Sequence, residues 1–206
     1  MQNNRSDLLI LILLIFSCPL LARPVETLLE SRQNKVMMQK WDISCGAAAL
    51  GTLLNYHFGD NVSEKDIARA MMTREEYIRN PEIIKMRLGF SLLDLKKFVE
   101  SRGYEGLGLG RLTLDTLVER APMIVPVYMH GYNHFVVFRG VFKNRVLLAD
   151  PAWGNRTMTI DQFMDMWIDS EAMGRIGFQV RLDGDGVDEP EISGLFPRKR
   201  EFVSLH

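Results

Sequence analysis

Cysteine is scarce in this chain: of 206 residues only two, Cys18 and Cys45, are thiols. That count excludes a disulfide-stapled scaffold and a zinc site built from several thiolates. An excess of one charge is missing as well, since 25 Lys and Arg stand against 26 Asp and Glu for a formal net charge of -1. Nucleic-acid and anionic-membrane binders usually carry a basic surplus, so the balance argues against both. The short run Arg198-Lys199-Arg200 reads as a solvated tail. No internal repeat is present, and past the N-terminus no apolar run reaches the length of a membrane span. Gly106, Gly108 and Gly110 alternate with Leu107 and Leu109, but the strand, glycine loop and helix order of a dinucleotide site is absent. A loop or short strand is expected there.

What is present begins with an address. Arg5 precedes an apolar run over residues 8–21, interrupted by Ser17, Cys18 and Pro19, and Ala22 supplies a small residue before Arg23. This is the pattern of a secretory signal peptide over residues 1–22, with an uncleaved anchor as the alternative. The mature protein is expected to be periplasmic, soluble and without a stable membrane span. Removal of the signal leaves Cys45 as its one thiol. An unpaired thiol in an oxidising compartment invites oxidation, so its setting matters.

Cys45 stands where a helix should start. Ala47, Ala48 and Ala49 are strong helix formers, and Leu50, Leu53 and Leu54 continue at helical spacing to about Phe58. Asp42 or Ser44 can cap this helix. Unpaired backbone N–H groups and the positive end of the dipole there favour a thiolate, the form that attacks carbonyls. The competing reading is an inert cysteine buried as a small hydrophobe.

The remaining elements follow in order. Residues 23–36 read as a leading arm that uses Val25, Leu28 and Leu29 for apolar contact. Ser63 opens a helix with Asp66 at the capping-box position and a buried stripe of Ile67, Ala70 and Met71. Residues 73–87 read as a helical turn and loop near the site. Ser91 caps a third helix bearing Leu92, Leu95, Phe98 and Val99, with Gly103 as its stop. A short helix over 113–120 turns Leu114, Leu117 and Val118 inward. Strands are expected over 123–128, 134–139, 145–150, 156–160 and 177–181, with Pro126 marking an edge or bulge and Lys143-Asn144 a hairpin turn. Asp161 should cap a helix carrying Phe163, Met164 and Trp167, and residues 183–206 read as a flexible tail. Helices first and antiparallel strands second make the class α+β.

A cysteine nucleophile needs a base and a group to orient that base. Of the four histidines, His57 lies about 18 Å along the cysteine's own helix and His206 is terminal. His130 and His134 remain, flanking a Gly-Tyr-Asn turn; His134 opens a strand, which gives its ring a rigid mount. A hairpin about Lys143-Asn144 sets the end of the next strand beside it, bringing Asp150 to His134. Read alone, Asp150-Pro151 is only a turn starter. Gln39, six residues before Cys45, can aim its amide at an oxyanion beside the Cys45 N–H, or be merely an exposed polar residue. Trp41, Tyr132 and Trp153 either wall a substrate groove or serve as core aromatics.

Gln39, then Cys45-Gly46-Ala47-Ala48-Ala49-Leu50, then His134-Phe135-Val136-Val137, then Asp150-Pro151, in that order, resemble the C39 peptidases. These are papain-like cysteine proteases best known as leader-removing domains of ABC transporters, and the similarity runs over residues 36–180. It implies a papain-like fold over residues 23–182 and the roles of nucleophile for Cys45, base for His134, orienting acid for Asp150 and oxyanion donor for Gln39. Two departures separate this chain from the transporter-linked members: no transporter or ATPase segment accompanies it, and it carries an export signal. On Asp42-Ile43-Ser44-Cys45-Gly46 and residues 89–96 it is more similar to stand-alone exported members, including the protease of functional-amyloid (Fap) secretion systems.

The expected function is that of an exported cysteine endopeptidase. It would cut a secreted protein or peptide client, such as an amyloid or leader-bearing subunit, with no metal or cofactor. Two rivals remain: a binding or chaperone module that holds a client in the same groove without cutting it, and a transpeptidase or amidase using the same residues on another substrate.

Overall fold

A helix apolar on every side must be buried on every side, and the stretch that begins at Cys45 obeys this rule. The computed structural model describes residues 27–73, 78–80, 90–182 and 203–204. Within them helix α2 (Cys45–Tyr56) is buried from Cys45 through Leu54. The preceding helix α1 (Leu28–Gln33) forms the leading arm, but Leu28 and Leu29 point to solvent, against expectation; only Ser31 of that helix is buried. The expected signal segment, and residues 74–77 and 81–87 of the expected helical turn and loop, fall outside the described residues.

Helices α3 (Glu64–Met72) and α4 (Leu92–Glu100) flank α2, capped by Ser63 and Ser91 as their sequences predict. In α3 the buried stripe is Ile67 and Met71; Ala70 is exposed, and Glu64 is buried instead. Helix α5 (Leu114–Glu119) buries Leu117 but leaves Val118 exposed. Helix α6 (Ile160–Met166) is capped by Thr159 in a box with Gln162, two residues earlier than the Asp161 expected.

The main sheet takes the order β1-β8-β2-β3-β4-β5-β9. Its strands are β1 (Tyr104–Leu109), β2 (Met123–Met129), β3 (Tyr132–Phe142), β4 (Arg145–Asp150), β5 (Gly154–Thr159), β8 (Gly177–Leu182) and β9 (Val203–Ser204). The short strands β6 (Asp169–Ser170) and β7 (Gly174–Arg175) pair with each other. All neighbours in the large sheet are antiparallel except β5 and β9, the described part of the tail.

Alternation along the central strands divides the core in two. Ile124, Val137 and Ala149 join Leu50, Leu53 and Leu54 of α2 with α3 and α4 on one side. Val125, Val136, Phe138 and Leu148 join Phe163, Leu117 and Trp167 on the other. Each fully buried leucine or phenylalanine contributes about 1.5–3 kcal/mol. Helices therefore cover both faces, and α5 and α6, both expected from the sequence, supply the cover on the face away from α2.

Two local features set the register. His130-Gly131 joins β2 to β3 with both residues at positive φ, +51° and +87°, the mark of a two-residue hairpin turn. Tyr132 and Asn133 belong to the strand, so His134 is its third residue and not its first. Further on, Arg139 is an extra residue between Phe138, opposite Leu148, and Gly140, opposite Leu147. Pro126 sits inside the sheet, not on its edge. Its carbonyl accepts from Ile168 N (3.2 Å) on the side away from β3, so its missing N–H costs the β2–β3 ladder nothing.

Candidate active site

The bulge decides what Asp150 can reach. Counted back from the Lys143-Asn144 turn without it, Asp150 would stand opposite Val137, on the wrong pleat for His134. With Arg139 inserted, Val137 faces Ala149, and Asp150 lies diagonal to His134 on the same face. The result is a hydrogen bond of 2.8 Å between His134 Nε2 and Asp150 Oδ1 with both side chains buried.

Asp150 is held on every side. Its Oδ1 also accepts from Ala152 N at 2.9 Å, and its Oδ2 accepts from Arg156 Nη1 at 3.0 Å. Burial raises the acid's pKa, but the hydrogen bond and charge of His134, the Ala152 amide and the Arg156 guanidinium outweigh it and hold the carboxyl below its usual range. Burial likewise pulls His134 down, and the hydrogen bond to Asp150 together with the hydrogen bonding and charge of Cys45 lift it to about 9. With Nε2 engaged by Asp150, Nδ1 is the ring nitrogen left for the sulfur. A protonated imidazole between the Asp150 carboxylate and the Cys45 sulfur is the arrangement that results.

Cys45 is the first residue of α2, buried and free. Ser44 is the N-cap, but its hydroxyl makes no cap hydrogen bond, contrary to one of the two expectations. It is instead shared between the Trp41 carbonyl at 2.7 Å and the Glu64 carboxylate. Gln39 is pinned through its backbone N–H to the Pro151 carbonyl, 2.9 Å away, which sets it beside the end of β4. Its Nε2 donates to the Trp41 carbonyl at 3.2 Å, while its buried Oε1 has no partner among the described residues.

The structure thus brings Cys45, His134 and Asp150 together and ties the Gln39 backbone to the same corner. His130 stays in its turn, where its ring lies 6.4 Å from that of Trp153. Trp41, Tyr132 and Trp153 are exposed, which disposes of the core reading. Tyr132 meets the His134 ring edge-on at 5.9 Å. Burial, then the charges of Asp150 and Cys45, raise its phenol pKa. Sequence reasoning missed Arg156 and Glu64. Arg156 sits opposite Leu148 on β5 and reaches back to Asp150; only the β4–β5 register could have revealed it. Among the described residues no group of His, Cys, Asp and Glu is arranged to hold a metal.

Comparison with known proteins gives the family. The Peptidase C39 family matches residues 33–171. The chain is 34% identical over 146 residues to the "Probable functional amyloid protease FapD" of Pseudomonas fluorescens, covering 70% of this chain and 62% of that protein. It is 34% identical over 149 residues to its namesake in Pseudomonas aeruginosa, covering 72% and 63%. The chain therefore spans less than two thirds of the length of these curated relatives. Among solved structures, the peptidase domain of Streptococcus ComA, a bifunctional ABC transporter of a quorum-sensing pathway, superposes with a TM-score of 0.56 at 19% identity, covering 71% of this chain and 97% of that domain. A double glycine motif protease from an AMS/PCAT transporter, in complex with the leader peptide, gives 0.55 at 22% identity, covering 71% and 90%. These two likenesses speak for the fold, which is the papain-like α+β arrangement of C39 peptidase domains.

Proposed function

The chain belongs to the peptidase C39 family, and from that premise we propose that it is an exported cysteine endopeptidase acting on a secreted protein or peptide. The observation that carries this reading is one sulfur at a helix start beside a buried His134–Asp150 pair. Cys45, as the thiolate partner of protonated His134, attacks the peptide carbonyl carbon, forming a C–S bond and moving the carbonyl electron pair onto oxygen. The Cys45 N–H and the Gln39 amide receive that oxyanion. Collapse breaks the C–N bond as His134 gives its proton to the leaving amine. Water, deprotonated by His134, then hydrolyses the thioester and regenerates the thiolate and imidazolium. Asp150 holds the ring in register throughout, and Arg156 holds Asp150.

The residue 1–22 pattern supports periplasmic export, and the exposed Trp41, Tyr132 and Trp153 supply walls for an extended peptide. The likeness to FapD supports a functional-amyloid subunit, or a leader-bearing secreted subunit, as client. Mass spectrometry of such a subunit after incubation should show a new peptide terminus with wild type and none with Cys45→Ala, which should fold normally. Iodoacetamide should label Cys45. A wild-type protein that binds the subunit, leaves it intact and resists the electrophile would overturn the reading in favour of a holding module.

A further inference from the structure

We propose that Glu64, which lies on α3 outside the site, is the positioning residue for the 39–44 loop and through it for Gln39. The inference deepens the reading above, on which it rests for the role of Gln39. Glu64 is the first residue of α3, a place where a carboxylate ordinarily faces water and the helix's own N–H groups. Here it is 4% exposed. Its Oε1 accepts from Lys40 N at 2.9 Å and meets the Ser44 hydroxyl. Lys40 follows Gln39 and Ser44 precedes Cys45, so a single oxygen takes hold of both ends of the segment joining the proposed oxyanion donor to the nucleophile.

The segment has little else outside itself to hold it. Gln39 Nε2, the Ser44 hydroxyl and Ser44 N all converge on the Trp41 carbonyl, which closes the loop internally. Lys40, Trp41 and Asp42 face solvent. Apart from the half-buried Ile43, which packs against the core, the contacts that fix the loop to the body are the Gln39 N–H to Pro151 O and the two donors on Glu64. Burying a carboxylate is costly unless it is well paired, and Glu64 Oε2 has no partner among the described residues. A carboxylate kept in that state, with both its partners in one catalytic loop, is placed for geometry. An oxyanion donor works only when fixed before the charge develops.

The test uses the full chain with Glu64→Ala, Glu64→Gln and Gln39→Ala, and begins without substrate. Hydrogen exchange at the Lys40 amide should quicken at least about tenfold in Glu64→Ala, because its acceptor is gone. On a cleaved peptide, kcat should fall about 10–100-fold with KM within about threefold, since a donor used in the transition state is misplaced. Iodoacetamide alkylation of Cys45, which needs no oxyanion donor, should stay within about threefold of wild type. Glu64→Gln retains an acceptor oxygen and should restore most of kcat. In the Gln39→Ala background, Glu64→Ala should add almost nothing.

Unchanged exchange at Lys40 would overturn the proposal. So would alkylation falling in step with kcat, or losses at Glu64 and Gln39 that multiply. If Lys40 exchange responds as expected while wild type cuts no peptide, the clamp stands and the peptidase reading is what fails.

Discussion

The two sides of the site are built to different standards. On the sheet side, Asp150 is fully buried, both its oxygens are engaged, and three donors at 2.8–3.0 Å hold it against β3, β5 and the turn between. On the helix side, the 39–44 loop exposes Lys40, Trp41 and Asp42, is hydrogen-bonded to the body through Glu64 and the Pro151 carbonyl, and leaves Gln39 Oε1 and Glu64 Oε2 without partners among the described residues. The contrast separates two jobs. The sheet side sets charge and proton geometry, and its parts are also part of the core. On the proposed function the helix side aims donors at a substrate, and its parts are attached to the core by few hydrogen bonds. Damage to the first should therefore cost stability and turnover together, whereas damage to the second should cost turnover alone.

The sharpest break in that contrast comes from Asp150→Ala. It strands the partly buried Arg156 guanidinium and the buried, protonated His134 ring, and removal of one member of a buried ion pair costs about 3–5 kcal/mol. Urea unfolding should register this loss. The gentler Asp150→Asn should fold but lose about two to four orders of magnitude in kcat, because the ring is no longer held in the right protonation state. Loss of turnover with the urea midpoint unmoved in Asp150→Ala would place the acid outside the core and erase the distinction.

A smaller effect follows from pH. His134 titrates near 9 in the folded protein and near 6.5 as a free side chain, so its partners stabilise the fold most fully below about pH 6.5. That contribution is lost as pH rises toward 9, and it amounts to no more than about 3 kcal/mol. Asp150 works in the opposite sense: its lowered pKa stabilises the fold above its ordinary range, and this is lost in acid. Melting followed from pH 6 to 10 should show the alkaline decline in wild type. The decline should be weaker in Asp150→Asn, which lacks the chief group lifting the ring. Alkylation of Cys45 should change rate over the same interval, and that limb should move to lower pH in the same variant.

Next in size is the bulge. Arg139 is buried, donating to Asn155 Oδ1 at 2.7 Å and to the Lys35 carbonyl at 2.5 Å, and Asn155 in turn donates to the Asn34 carbonyl at 2.8 Å. Arg139→Ala leaves these acceptors short of a donor and should cost about 2–3 kcal/mol by urea unfolding. This residue also marks where the sequence stops being readable. Helix starts at Ser63 and Ser91, the turn at Lys143-Asn144 and the alternation of β3 and β4 are local signals, and each predicts its element. Whether Asp150 meets His134 depends on one residue inserted mid-strand, and the local hint in Phe138-Arg139-Gly140 is a single glycine, Gly140, inside a strand pattern, which does not say where the insertion falls. The hairpin argument pairs the right two residues, but by counting it would put them on opposite pleats. Arg156 and Glu64 were illegible for the same reason. Their partners lie across a register or a helix packing, and their own neighbours carry no trace of it.

The finest comparison is between two serines that look alike in sequence. Ser91 opens α4 and makes both bonds of a capping box, its hydroxyl accepting from Asp94 N while Asp94 accepts from Ser91 N at 2.7 Å. Ser44 opens α2 and caps nothing, because Glu64 and the Trp41 carbonyl take its hydroxyl. Ser91→Ala should lose about 1 kcal/mol of stability and leave turnover unchanged. Ser44→Ala should do the reverse. Neither acceptor is left bare, since Lys40 N–H still reaches Glu64 and both Ser44 N–H and the Gln39 amide still reach Trp41 O. Stability should therefore hold within about 0.5 kcal/mol, as for a replacement that strands no polar group. Turnover should fall several-fold, because the loop has lost one of its two attachments to Glu64. Paired urea midpoints and kcat values for the two variants decide the matter. If Ser44→Ala instead lost stability as Ser91→Ala does and kept its kcat, the serine before the nucleophile would be an ordinary cap, and the helix side of the site would need a different account of what holds it.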